Sequence, residues 1–389
     1  MAKSLAILSG KGGSGKTTLA LSLSQLMAFC KKKVLLIDCD MSTHGATYFF
    51  EEDLDKDKDK YANYSSLVIN NCSTVQNGIT NIFSKKTYAS SPFDVILSIE
   101  RLDDNKRLYD TVIYDEIIVK VFEKLDEKYD VILFDCQAGY CKITEQVLSL
   151  AEKSLIVLEP DLVSIQAVRT LYRQLGEIMD RKKTLQVFNK VVESERKIYA
   201  DLPAHSTIFT NLKALSFNWL VRAAFSDSKI PDVNNDNLPF ANEICELAIS
   251  LFPKYEYDIQ QYLLRIKDEL RTLLLNQKMQ IEAKIKKTKR PENYLLLVIS
   301  SLLFIIPIFF RNKNYINDYT LLIFIITAIP IFLISVLSAT LLKPDINKVK
   351  GNTDVSNEQN YDIDIEIKRI TNELKVLKEK LGMEINENV

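Results

Sequence analysis

Short apolar runs recur along the first two hundred residues, separated by longer stretches in which apolar and polar positions mix. The runs Ser4 to Leu8, Val34 to Ile37, Val131 to Phe134, Ser154 to Leu158 and Leu185 to Phe188 read as strands buried on both faces, as strands of a parallel sheet are. Thr17 to Phe29 carries Leu19, Leu21, Leu23, Leu26 and Met27 among small residues and reads as a helix. The expected fold class is α/β over residues 1–254, a mostly parallel sheet with helices on both faces.

The spacing changes after residue 254. Residues 255–293 read as a helical arm ending in a basic segment, with Ile259, Leu263, Ile266, Leu270 and Leu273 spaced 4-3-4-3. Residues 343–389 read as a polar linker and a C-terminal helix. The linker is Gly351 to Gln359, and Ile363, Ile367, Ile370, Leu374, Leu377 and Leu381 follow at 4-3-4-3-4 spacing. Both series match the a/d seam of a coiled coil. The arms are open to pairing with each other, to pairing with their twins in a dimer, or to packing on the α/β domain. Between them, residues 294–310 and 319–342 hold no charged side chain over 17 and 24 residues, lengths that suit a transmembrane hairpin. Lys284, Lys286, Lys287, Lys289 and Arg290 precede it, and Lys343, Lys348 and Lys350 follow. That asymmetry puts both termini on the cytoplasmic side. The expectation is a two-span protein of the cytoplasmic (inner) membrane, with the lipid bilayer as a partner. Met1 runs straight into the first strand, so no signal peptide is expected.

Charge and cysteine content narrow the field. The 389 residues carry a net charge of −1, so no overall field draws the chain to nucleic acid, which is not a favoured partner. Local clusters such as Arg181-Lys182-Lys183 read as solvated helix ends, and Glu51 to Lys60 as a solvated loop. Cys30, Cys39, Cys72, Cys136, Cys141 and Cys245 show neither CxxC nor zinc spacing and read as reduced thiols. His44 and His205 are isolated in the sequence and read as surface residues.

The strongest chemical signal follows the first strand. Gly10-Lys11-Gly12-Gly13-Ser14-Gly15-Lys16-Thr17-Thr18 contains the phosphate-loop pattern GxxxxGK[ST], placed between a strand and a helix where the pattern has physical meaning. The glycines let backbone N–H groups turn inward toward phosphate oxygens, and the helix N-terminus adds partial positive charge. Lys16 is expected to reach the β- and γ-phosphates, and the Thr17 hydroxyl to ligate Mg²⁺. Four of the ten glycines in the chain fall in this loop, which a ligand-free surface turn would not need. Further on, Val34 to Asp40 and Tyr129 to Asp135 are strands ending in carboxylates, Asp38, Asp40 and Asp135. Acidic residues at the C-terminal ends of parallel strands lie beside the phosphates in open α/β sheets.

In this order, GKGGSGKTT, LLIDCDMST and YDVILFDCQAG resemble the deviant-Walker-A ATPases, the ParA/MinD family. The resemblance extends through Ser154 to Ser164, Leu185 to Lys190 and Ile230 to Val233, and covers roughly residues 1–250. It implies ATP and Mg²⁺ as ligands and an ATP-dependent homodimer that sandwiches two nucleotides. Lys11 would be the signature lysine that crosses to the partner's phosphates. Asp40 would position the attacking water. Asp38 and Asp135 would act through Mg²⁺ and its water shell. Asn189, Pro231 and Asp232 would meet the base. Segments 40–47 and 135–143 would be the two switches. Two departures stand out: cysteines at 39 and 136, and a second switch, Cys136-Gln137-Ala138-Gly139, without the proline many relatives carry.

The leading functional reading is a membrane-anchored ATP hydrolase switch, slow without a partner, that recruits, positions or regulates a protein at the cytoplasmic membrane face. The alternatives are a ParA-like ATPase tethering DNA to the membrane and an ATP-gated membrane effector. A tyrosine kinase of related loop type is disfavoured because the tail has only Tyr361 and no tyrosine cluster.

Overall fold

The computed structural model describes residues 2–40, 42–50, 83–86, 92–96, 127–195, 212–226, 237–288 and 346–383, with single positions 98, 125, 233 and 234. The strands are β1 (Lys3–Leu8), β2 (Val34–Cys39), β3 (Phe83–Lys86), β4 (Pro92–Ile96), β5 (Val131–Cys136), β6 (Lys153–Leu158), β7 (Thr184–Val191) and β8 (Leu212–Ser216). They form one sheet in the order β3-β4-β2-β5-β1-β6-β7-β8. Every pairing is parallel except that of β3 on β4. Every residue of β2 and β5 is buried, which is why these strands read as unbroken apolar runs rather than alternating ones.

The helices of the domain are α1 (Lys16–Phe29), α2 (Lys142–Leu150), α3 (Leu162–Leu175), α4 (Trp219–Ser226) and α5 (Leu238–Leu251). In α1 all residues but Thr17 are buried, because the helix lies between the sheet and α5. Side chains cap the next two helices. Asp161 Oδ1 accepts from the Ser164 N–H at 2.7 Å to start α3, and Cys141 Sγ accepts from the Thr144 N–H at 3.4 Å to start α2. The chain leaves β1 toward α1 while β5 and β6 flank β1 on either side. This is the switch point at whose carboxyl end open α/β sheets place ligands.

Two compact units are present: residues 1–267 with 377–389, and residues 268–376. The first holds the sheet and the start of α6 (Glu256–Thr288), fastened by a Lys32–Asp258 ion pair of 2.7 Å and by Phe29 stacked on Tyr262 at 5.4 Å. In the second, α6 and α7 (Ile346–Lys380) of the same chain meet through Lys278 and Asp364 at 2.6 Å, and Ile370 and Leu374 are buried. The stretch 351–359, expected to be a linker, lies inside α7. A single glycine in a helix costs only about 1 kcal/mol.

The membrane localisation expected from the sequence is corrected. Among the described residues no helix is long and apolar enough to cross a membrane. The longest helices, α6 and α7, are laced with Lys, Glu and Asp, and such side chains are costly inside a bilayer. The apolar runs 294–310 and 319–342 lie outside the described residues.

Candidate nucleotide-binding site

The loop between β1 and α1 is built on close approach. A Cβ on Gly10 would lie 2.4 Å from the carbonyl carbon of Ala167 in α3, so only glycine fits there. Gly15 has φ 96° and a Cβ on it would lie 2.2 Å from Asn189 Nδ2. The Gly139 N–H donates to Ser9 O at 2.8 Å and ties the loop to the second acidic segment. Lys16 is 7% exposed at the start of α1, and the Ser14 hydroxyl is buried without a hydrogen-bond partner. The loop opens on a cavity of about 680 Å³, a size typical of small-molecule and cofactor sites.

The three carboxylates differ in how they are held. Asp38 and Asp135 face each other in register on β2 and β5, both fully buried. Asp38 accepts from the Asp40 N–H at 3.0 Å, the Thr47 N–H at 2.9 Å and the Thr47 hydroxyl at 2.7 Å. Neither oxygen of Asp135 has a hydrogen-bond partner. Burial pushes both carboxyls above the usual range; the neighbouring Asp38 adds to this at Asp135, while Lys16 and the nearby Thr17 hydroxyl, which is not in full hydrogen-bond contact, oppose it. Asp40 is saturated by its own loop. Its oxygens accept from the N–H and hydroxyl of Ser42 at 3.1 and 2.8 Å and from those of Thr43 at 2.9 and 2.6 Å. Burial opposes its ionisation, but these four donors outweigh that and hold its pKa below the ordinary value.

An orphaned, buried carboxylate beside a second one, with the Thr17 hydroxyl nearby, is a donor set for a hard divalent cation. Gly45 leaves room for that hydroxyl, since a Cβ there would lie 2.8 Å from Thr17 Oγ1. Among the described residues no group of three or more His, Cys, Asp and Glu could cage a metal. Magnesium keeps several waters and takes one or two carboxylates plus substrate phosphates, so two carboxylates and a hydroxyl are a sufficient donor set for it.

The family model described as "AAA domain" matches residues 2–187, just under half of the chain. Among curated proteins, the chain is 24% identical over 196 residues to the "Septum site-determining protein MinD" of Bacillus subtilis, covering 50% of this chain and 66% of that protein. It is 28% identical over 184 residues to a "ParA family protein" of Chlamydia trachomatis, covering 46% and 67%. It is 27% identical over 184 residues to a "Putative replication protein A" of Sinorhizobium fredii, covering 45% of this chain and 44% of that protein. The chain thus spans less than half to about two thirds of these relatives' lengths. The solved "MinC:MinD cell division protein complex" of Aquifex aeolicus shares the fold, with TM-score 0.50 and 21% identity over 65% of this chain and 96% of that one. So does a "putative plasmid partition protein" of Borrelia burgdorferi "bound to AMPPNP", with TM-score 0.50 and 19% identity over 64% and 99%.

The N-terminal domain is similar in sequence to ParA and MinD proteins and shares its fold with them.

In this domain Lys11 does not point into the cavity. Its Nζ lies 2.9 Å from Glu159 and 3.0 Å from Asp161 of its own chain. The hydrogen bonds it donates to these two carboxylates, Glu159 first, raise its pKa. Glu159 also accepts from Lys190 Nζ at 2.7 Å, and Lys190 donates to Gly13 O at 2.6 Å. A break in register between Phe188 and Val191 brings Asn189 and Lys190 together against the loop, with Lys190 at φ 61°. Asn189 Nδ2 donates to Ser14 O at 3.0 Å.

The structure therefore gathers Gly12, Gly13, Gly15, Lys16, Thr17, Thr18, Asp40 and Asn189 around one cavity. Pro231 and Asp232 lie outside the described residues. Sequence reasoning missed the far wall, made by Phe217, Asn218, Val221, Arg222 and Phe240. Asn218 accepts from the Leu220 and Val221 N–H groups at 2.9 and 3.1 Å and so starts α4 at the cavity rim. An Asn two residues before a run of helix formers was the available signal. Lys190 was also missed.

Proposed function

We propose that the chain is an ATP hydrolase that binds Mg-ATP, pairs face to face with a second copy, and uses hydrolysis to end the paired state. Through that cycle it recruits, positions or regulates a protein partner. The observation that carries this reading is Asp135: a fully buried carboxylate with both oxygens unpartnered, paired in register with Ile7 on the strand that leads into the phosphate loop. Such a group is costly to leave alone and is satisfied by a cation held against phosphates. Phosphoryl transfer asks a protein mainly for positioning and charge stabilisation, and the residues present supply both. The loop N–H groups and Lys16 would hold the phosphates. Thr17 and Asp135 would face the cation directly and Asp38 its water shell. Magnesium would supply neutralisation of the charge that develops between the β- and γ-phosphates. Asn189 would meet the nucleoside.

Asp40 would orient the attacking water, which requires the first switch to release it from Ser42 and Thr43. Lys11 would have to leave Glu159 and Asp161 before it could serve a partner's nucleotide. Both groups therefore stand in a resting arrangement, and slow hydrolysis by the isolated chain follows.

The reading is tested by equilibrium binding and turnover of ATP. Wild type should bind Mg-ATP and hydrolyse it, Lys16→Ala should not bind, and Asp40→Ala should bind without turnover. Hydrolysis by Asp40→Ala at the wild-type rate would remove Asp40 from its role, and nucleotide binding by Lys16→Ala would remove the site.

A further inference from the structure

Two side chains, Ser98 and Thr47, connect the half-buried ring of His44 to the buried carboxylate of Asp38. His44 Nδ1 lies 2.8 Å from Ser98 Oγ. Ser98 Oγ lies 2.9 Å from Thr47 Oγ1, and Thr47 Oγ1 lies 2.7 Å from Asp38 Oδ2. Proton counting gives the chain a direction. Asp38 accepts from the Asp40 and Thr47 N–H groups, and the single hydroxyl proton of Thr47 also goes to it. Thr47 Oγ1 then has lone pairs only, and it accepts from the Ser98 N–H at 3.0 Å and from the Ser98 hydroxyl. With its one proton given to Thr47, Ser98 Oγ must accept from His44, so His44 Nδ1 carries a hydrogen.

The backbone supports the same arrangement. His44 sits at φ 52°, a conformation a residue with a β-carbon adopts at a cost, and one found at positions that the surrounding structure over-determines. Its N–H donates to Asp40 O at 3.0 Å, and its carbonyl accepts from the Tyr48 N–H at 3.2 Å. Ser98 lies just past the end of β4, the strand paired with β2 on the side away from β5. The chain thus anchors Asp38 to the sheet through Thr47 and Ser98, independently of the Ser42 and Thr43 hydroxyls that hold Asp40.

We propose that His44 is a positioning residue of the magnesium site: the terminal donor of a one-way chain, His44 to Ser98 to Thr47 to Asp38, that fixes the orientation of the Asp38 carboxylate. The assignment rests on the reading of Asp38 as a member of the cation's water shell. Donors in such a chain polarise one another, so loss of the last one weakens the bond at Asp38. Partners that orient metal-facing groups typically matter by about 10- to 100-fold in metal affinity.

Two measurements on the full chain test it. Nitrogen-15 spectra of the imidazoles, in protein without nucleotide, should show His44 as the Nδ1–H tautomer, and Ser98→Ala should abolish that preference. Magnesium titrations of ATP binding, read by calorimetry, should show His44→Ala and Ser98→Ala each raising the half-saturating Mg²⁺ by about 10- to 100-fold. The double variant should be no worse than either single one. His44→Asn should restore the wild-type value, because its amide can donate from the same place and Asn tolerates a positive φ. His44→Phe should not. An Nε2–H tautomer, or His44→Ala with an unchanged magnesium requirement in a protein that binds Mg-ATP normally, would overturn this assignment alone. A wild-type protein that binds no nucleotide would overturn the site reading and this assignment with it.

Discussion

Lys11 Nζ lies 3.0 Å from Asp161 Oδ2 of the same chain, so the lysine that resemblance sends to a partner is occupied at home. The contact is partly exposed, with side chains 31% and 40% accessible, and Glu159 supplies a second anchor. Exposed ion pairs contribute roughly 0.2–1 kcal/mol each. Asp161→Asn keeps the helix cap while removing the charge. With Mg-ATP it should raise the dimer association constant by roughly 2- to 5-fold, measured by sedimentation. Glu159→Gln should act in the same direction. A fall instead would mean that Asp161 serves the partner's lysine rather than restraining its own.

The loop glycines are not equivalent. A Cβ on Gly10 would press on the backbone of α3, while a Cβ on Gly12 would meet nothing within 4 Å. Gly10→Ala should therefore destabilise the domain by roughly 1–3 kcal/mol in denaturant unfolding, as overpacking does. Gly12→Ala should leave stability unchanged within about 0.5 kcal/mol. Equal effects would mean that the approach of α3 to the loop is not as described.

Asp135 makes a prediction about pH. Burial and Asp38 raise its folded-state pKa to about 7. In an unfolded chain an aspartate titrates near 3.9. Between these values the folded protein binds more protons than the unfolded one, so stability falls as pH rises through that window. Without nucleotide or magnesium, the melting temperature should drop between about pH 5 and pH 8. Asp135→Asn should weaken that dependence to the part that Asp38 retains and raise the melting temperature at neutral pH, because it removes a buried charge. The same variant should lose magnesium-dependent ATP binding. A pH-independent melting temperature in the wild type would show that the carboxylate is already compensated.

The elements that position the site were legible because they depend on local rules. Buried parallel strands leave unbroken apolar runs, and the phosphate loop needs its glycines within a fixed spacing of Lys16. The restraints within the site were not legible, because they depend on partners distant in sequence. Nothing local announces that Lys190 reaches back to Gly13, that Glu159 bridges two lysines, or that Ser98 stands beside Thr47. The far wall of the cavity comes from the turn between β8 and α4, from α4 itself and from Phe240 of α5, segments distant in sequence from the phosphate loop. At the C-terminal end, the polar composition of 351–359 suggested a linker, yet it continues a helix whose apolar residues lie further on. The expected membrane localisation rested on two apolar runs and their basic flanks, and the described helices do not supply it.

The central claim is that ATP, through Lys16 and the acidic strand ends, controls pairing of two copies. The most direct measurement is the solution mass of Asp40→Ala in Mg-ATP and in Mg-ADP, with Lys16→Ala as the reference. A dimer in Mg-ATP alone, absent in Mg-ADP and in Lys16→Ala, is the predicted result. The same mass in both nucleotides would contradict it.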